Sequence, residues 1–298
     1  MSSESGDQGR RSAKPAAPPA VMSEHLMRLA ERVTIGMVMT PLCDLVCADP
    51  QTTVGQAREL MGASYDQLPL MDGPSVEGLI LRESLEGKDA GAPARSALTP
   101  LCDLVTVRAD EVIPPVVQLL VDDRCVLVFD ANDDRFCGLV HFSDLNKHAV
   151  RTNVYLWISA LEMGLAELIH RRCPDFRQWL GILEERRQIT ILGRYEYERQ
   201  RHIELDPLEG AELSDLLKIV RSIPVLLEPL GLTKSQLDRK TGHLVKMRHA
   251  AMHPVRSLIR SHEDLTKWLK VFADLIDVLD HVYAALDKKP RARSNHLS

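Results

Sequence analysis

The seven residues from Thr40 to Val46, Thr-Pro-Leu-Cys-Asp-Leu-Val, return unchanged from Thr99 to Val105. An identity of that length does not arise by chance in 298 residues, so the first half of the chain is confined to a fold that is built twice. The likeness continues beyond the heptapeptide. Leu68-Pro-Leu-Met-Asp72 answers Val126-Leu-Val-Phe-Asp130, and the run from Gly78 to Leu85 answers the run from Gly138 to Leu145. The offsets are 59, 58 and 60, so each copy keeps its order of elements and absorbs small length changes in loops.

Both copies follow one pattern. A Pro-containing lead-in precedes a short apolar run (Leu45 to Cys47, Leu104 to Val107) that reads as a strand. A helical spacing follows: Val54, Ala57, Leu60 and Met61 in copy one, Val116, Val117, Leu120 and Val121 in copy two. An apolar strand ending in Asp, a polar turn, a Gly-led apolar strand and a final helix complete a β-α-β-β-α unit. Two such units of about 60 residues in tandem resemble a CBS domain pair (a Bateman module), spanning about 33–151. Repeat boundaries are expected at 33–87 and 95–150.

The resemblance implies a ligand site at the closing strand of each copy. There the family carries Gly, two apolar residues, a Thr or Ser, two free positions and an Asp whose carboxylate accepts from a ribose diol. Copy two keeps the acid as Asp144 and has His141 at the hydroxyl position, whereas copy one has Leu81 and Ser84. One adenosine-nucleotide site (AMP, ADP or ATP) is therefore expected, built around Asp144 with His141 and Thr106. The alternative is that Asp144 caps the terminal helix, since Ser143-Asp144 is good helix-start chemistry.

After Arg151 the alternation stops and 3.6-residue periodicity takes over. Asn153 is placed to cap a first helix through Leu156, Leu161 and Leu168, and a second starts near Pro174. A third carries Leu213 to Ile223, and Thr233 with Gln236 forms a capping-box spacing for a fourth. Ser261 with Asp264 opens the last, whose apolar stripe runs from Leu265 to Tyr283. Four or five amphipathic helices over 152–287 make an all-α bundle behind an α+β half.

Within that bundle, Arg248-His-Ala-Ala-Met-His253, followed by Pro254, lies among apolar helical residues. The segment resembles the signature of the HEPN superfamily, and the resemblance implies a metal-independent endoribonuclease, usually dimeric, with two motifs facing one cleft. His253 would serve as general acid/base at the ribose 2′-hydroxyl or the leaving oxygen, Arg248 would stabilise charge on the scissile phosphate, and His249 would assist. Those roles suit an imidazole that titrates near neutrality and a guanidinium that stays charged. Five residues along a helix turn through about 500°, which sets Arg248 and His253 on different faces while His249 and His253 share one. Residues 239–260 carry six Lys or Arg and no acid, a face suited to a phosphate-bearing partner.

The remaining expectations follow from composition. The net charge of −5 is mild, and no stretch approaches the roughly 18 apolar residues of a membrane span. Residues 1–24 read as a disordered tail without the apolar core of a signal peptide, and the basic end 288–298 reads likewise. Six cysteines lack metal-binding spacing, and Cys43 and Cys102, equivalent in the repeat, are expected to be buried as small apolar groups. The expected protein is cytoplasmic, metal-free and without a required cofactor, a homodimer whose partners are adenine nucleotide and RNA. The competing expectation is a non-catalytic sensor or scaffold whose helical domain binds RNA or a protein.

Overall fold

The computed structural model describes residues 19–203 and 205–287. The terminal segments 1–18 and 288–298, both expected to be tails, lie outside the described residues. Helix α1 (Pro19–Ala30) takes up the rest of the expected N-terminal tail and packs along the first long helix of the bundle.

The two copies exchange their lead-in strands. Copy one contributes β1 (Thr40–Pro41), helix α2 (Val54–Met61) and the hairpin β2 (Gln67–Asp72) and β3 (Ser75–Leu81). Copy two contributes β4 (Leu98–Pro100), β5 (Thr106–Arg108), helix α3 (Ile113–Asp122), β6 (Cys125–Phe129) and β7 (Phe136–His141). One sheet has the order β1-β7-β6-β5 and the other β2-β3-β4, so β1 completes the sheet of copy two and β4 the sheet of copy one. Pro41 lies opposite Gly138, and Pro100 lies opposite Gly78 in the matching register.

This exchange accounts for the repeated heptapeptide and for the glycines that lead the closing strands. A Cβ on Gly78 would collide with the Thr99 carbonyl oxygen, and one on Gly138 with that of Thr40. Leu42, Leu45, Leu101 and Leu104, two from each heptapeptide, pack together against Leu79, Leu127 and Leu139 between the two sheets. Equivalent residues on either side of a local two-fold meet the same surroundings, and both copies keep the same residues there.

Local chemistry sets the element ends. Thr53 and Gln56 form a capping box that starts α2, and Pro114-Pro115 occupy the first turn of α3, where missing amide hydrogens cost nothing. Gly73 adopts a left-handed φ of 58° in the β2–β3 turn. Copy one departs from the expected pattern at Leu45 to Cys47. Pairing there shrinks to a single bridge between Ala48 and Leu70. The expected closing helices are single 3-10 turns, at Glu83–Leu85 and Phe142–Asn146.

The helical half comprises α4 (His148–Arg172), α5 (Arg177–Leu180), α6 (Glu185–Gln200), α7 (Leu213–Ser222), α8 (Pro224–Leu227), α9 (Lys234–Thr241), α10 (Leu244–Met252) and α11 (Asp264–Asp287). Thr233 and Gln236 form the expected box at the start of α9, and Asp264 accepts from the Arg260 amide at the start of α11. Asn153 is no cap: α4 begins five residues earlier, and Asn153 is buried inside it, donating to the Ala30 carbonyl at 2.7 Å. Periodicity alone could not place that start, because the apolar stripe runs unbroken from copy two into the helix.

One hydrophobic core links the halves. Val116, Val117 and Leu120 of α3 belong to the same buried cluster as Leu161 of α4 and Leu275 and Leu279 of α11. Each such side chain contributes about 1.5–3 kcal/mol on burial. Copy one keeps a separate core around Val54, Ala57, Met61 and Leu85.

Candidate functional site

Strand β7 delivers His141 to the sheet end, and the 3-10 turn that follows places Asp144 beneath it. The two form a reciprocal cap, in which Asp144 Oδ2 accepts from the His141 amide at 2.8 Å. Oδ1 accepts from the Thr40 hydroxyl at 2.9 Å and lies 2.8 Å from Lys147 Nζ. Lys147 also donates to the Val38 and Met39 carbonyls at 2.9 and 3.0 Å. Asp144, only 6% exposed, thus fastens the end of copy two to the exchanged strand of copy one. Its capping role is present in full, as the acid of the box and not as the helix-starting residue.

Burial holds the His141 imidazole below its ordinary 6.5, against the pull of Asp144. Its Nδ1 lies 2.9 Å from the Ser143 hydroxyl. Thr106 stands exposed on β5, two strands from β7, beside a cleft of about 690 Å³ with Arg108 and Phe129. Neither His141 nor Asp144 lines that cleft, so the three candidate ligand residues do not converge on one cavity.

The second candidate cluster is on α10. Arg248 turns inward, with Nε 2.7 Å from Glu162 Oε1 on α4. Burial raises the Glu162 carboxyl above its usual range, and Arg248 opposes that shift. Glu167, on the same helix, pairs with Arg171 and not with the motif. His249 and His253 face outward, both exposed, with rings 14° from parallel and centroids 6.2 Å apart. Helical spacing puts Lys246 on the same face. Lys246, Arg256 and Arg260 are exposed and in no ion pair among the described residues. The structure therefore joins His249 to His253 and separates Arg248 from both.

Two residues that sequence reasoning passed over tie the clusters together. Arg151 is a guanidinium only 6% exposed whose partners are backbone oxygens: it donates to the carbonyls of Asn146, Ala250, His253 and Arg256. It closes the end of α10, where unpaired carbonyls and the helix dipole favour a cation. Asn146 accepts from the Leu258 and Ile259 amides at 2.7 and 3.1 Å and donates to the Ile259 carbonyl at 2.7 Å. Nearby, His262 Nε2 lies 2.7 Å from the Leu120 carbonyl on α3. The only sequence signal was a charge at Arg151 beside the apolar Val150 and Val154.

Cys43 and Cys102, expected to be buried, are exposed. The leucines flanking them fill the interface between the sheets, which turns the cysteines outward, each with its Sγ near the carboxylate that follows. No helix among the described residues is long and apolar enough to cross a membrane.

Residues 35–86 match the CBS domain. The second copy repeats its heptapeptide and its order of elements. Solved structures of CBS proteins are similar to part of the chain. The CBS-pair protein CBSX2 from Arabidopsis thaliana is 24% identical with a TM-score of 0.35, covering 40% of this chain and 94% of that one. The CBS domain of a bacterial CNNM/CorC family Mg2+ transporter in complex with ATP is 18% identical with a TM-score of 0.35, covering 46% and 98%. A CBS domain-containing protein from Bacillus anthracis is 11% identical with a TM-score of 0.34, covering 38% and 88%. No curated protein matches the chain.

Proposed function

We propose that this chain is a regulatory ribonuclease, in which an adenine nucleotide held at Asp144 of the CBS pair controls RNA cleavage at the His249–His253 face of a HEPN-like bundle. The observation that carries this reading is the clasp of Asn146 and Arg151, two and seven residues past Asp144, on the backbone that presents His253. A ligand that alters the Asp144 turn acts on the histidine face through a few hydrogen bonds.

The chemistry follows from the residues. His253, neutral, takes the proton of a ribose 2′-hydroxyl, whose oxygen attacks the adjacent phosphorus. His249, protonated, gives a proton to the departing 5′-oxygen, leaving a 2′,3′-cyclic phosphate. An imidazole can act as general base or general acid. Lys246 and Arg256 supply positive charge beside the phosphate. Arg248 stabilises the scissile phosphate after exchanging its bond to Glu162, or serves the cleft of a homodimer in which two α10 helices face each other. At the other end, a ribose diol competes with Thr40 and Lys147 for the Asp144 carboxylate, and Lys147 becomes free for the nucleotide phosphates. His141 flanks the site, and Thr106 stands apart from it, two strands away on β5.

The test is cleavage of RNA in EDTA. His253→Ala should lower the rate by about 100-fold or more, the usual contribution of a positioned acid–base group. Unchanged cleavage by that variant overturns the reading. One observation favours a second reading, a non-catalytic regulator that binds RNA or protein through the same face: Arg248 is already held by Glu162. RNA bound but not cleaved in the same assay supports that alternative.

A further inference from the structure

We infer that the cleft where the CBS pair meets the helical bundle is a binding site for a small organic cation with a flat apolar body. The cleft lies between the end of α1, the start of α3, and helices α4 and α11, with a volume of about 570 Å³. That is the size of a ligand pocket, at the junction of two structural units where such pockets concentrate. Trp157 and Phe272 wall it, edge to face at 6.2 Å, and Ile276 extends the apolar surface. No Lys or Arg lines it, while three carboxylates, Glu31, Asp277 and Asp280, do. Asp277 is already bound to Lys240 at 2.9 Å, whereas Glu31 and Asp280 are exposed and in no ion pair among the described residues.

A second observation points to a ligand. Asn153 also lines this cleft and is 2% exposed. Its amide nitrogen donates to the Ala30 carbonyl, but its Oδ1 accepts no hydrogen bond among the described residues. A buried acceptor without a donor is unfavourable, and a ligand N–H would satisfy it. An aromatic amine meets every feature: the ring lies against Trp157, a ring N–H faces Asn153, and the ammonium sits among the carboxylates and over the indole. An anion of the same shape would meet only repulsion. The bound cation would bridge α3 of the pair and α11 of the bundle. The inference is independent of the nucleotide and ribonuclease readings.

Tryptamine and indole-3-propionate, alike in shape and opposite in charge, make the test, titrated calorimetrically into the full chain. Tryptamine should saturate a single site, and indole-3-propionate should bind at least about tenfold more weakly. The double variant Glu31→Gln/Asp280→Asn changes only exposed side chains, so it keeps the fold and should abolish the difference. Methylating the indole nitrogen of tryptamine, which removes the donor for Asn153 without touching the protein, should also weaken binding. Absence of saturable tryptamine binding, equal binding of the two probes, or unchanged tryptamine affinity in the double variant would each overturn the inference.

Discussion

Gly138 has no room for a side chain, because the exchanged strand β1 crosses directly over it. Gly138→Ala should therefore cost about 2–3 kcal/mol in urea unfolding, the scale of forced overpacking, and Gly78→Ala should cost about the same. Loss at one glycine only would contradict the two-fold logic of the exchange. His141 bears on stability through pH. Burial lowers its folded value below 6.5, so its contribution is complete above that pH and is lost as pH falls through the folded value. His141→Gln should flatten the decline in urea midpoint below about pH 6.5. Asp144, His249 and His253 stood out in the sequence as candidates because each belongs to a short spacing. Arg151 and Asn146 were not, since their partners lie about a hundred positions away and no local pattern connects them.

At the scale of elements, α10 is short, and its C-terminal end is closed by a side chain from α4 instead of by its own sequence. Arg151→Met keeps the length and apolar stem but strands the carbonyls of Ala250 and Arg256. It should lower stability by about 3 kcal/mol and speed amide exchange around residues 250–259 before it affects the sheets. Uniform loss of protection throughout the chain would deny α10 this local dependence. Sequence reading placed α3, α7, α9 and α11 well, because apolar periodicity and capping boxes are local signals. It failed at the start of α4 and at the first strand of copy one. There the deciding contacts, Asn153 with Ala30 and Ala48 with Leu70, come from elsewhere in the chain. The heptapeptide announced the duplication, but not that each copy lends a strand to the other.

For the molecule as a whole, the division between the duplicated half and the helical half does not coincide with the division of the cores. Copy two and the bundle share one core, and copy one has its own. Native-state hydrogen exchange should thus find copy one opening independently around α2, with α3, α4 and α11 exchanging as one unit. A single opening free energy for all four helices would contradict that partition. The asymmetry also fits the proposed regulation: the copy that retains Asp144 is the one fused to the bundle. The most direct measurement is RNA cleavage in EDTA by the full chain, with and without AMP or ATP, for the unaltered protein, Asp144→Ala and His253→Ala. His253→Ala should lower cleavage by about 100-fold or more, and Asp144→Ala should cleave RNA but no longer respond to nucleotide. Cleavage indifferent to His253, or a nucleotide response that survives the loss of Asp144, would contradict it.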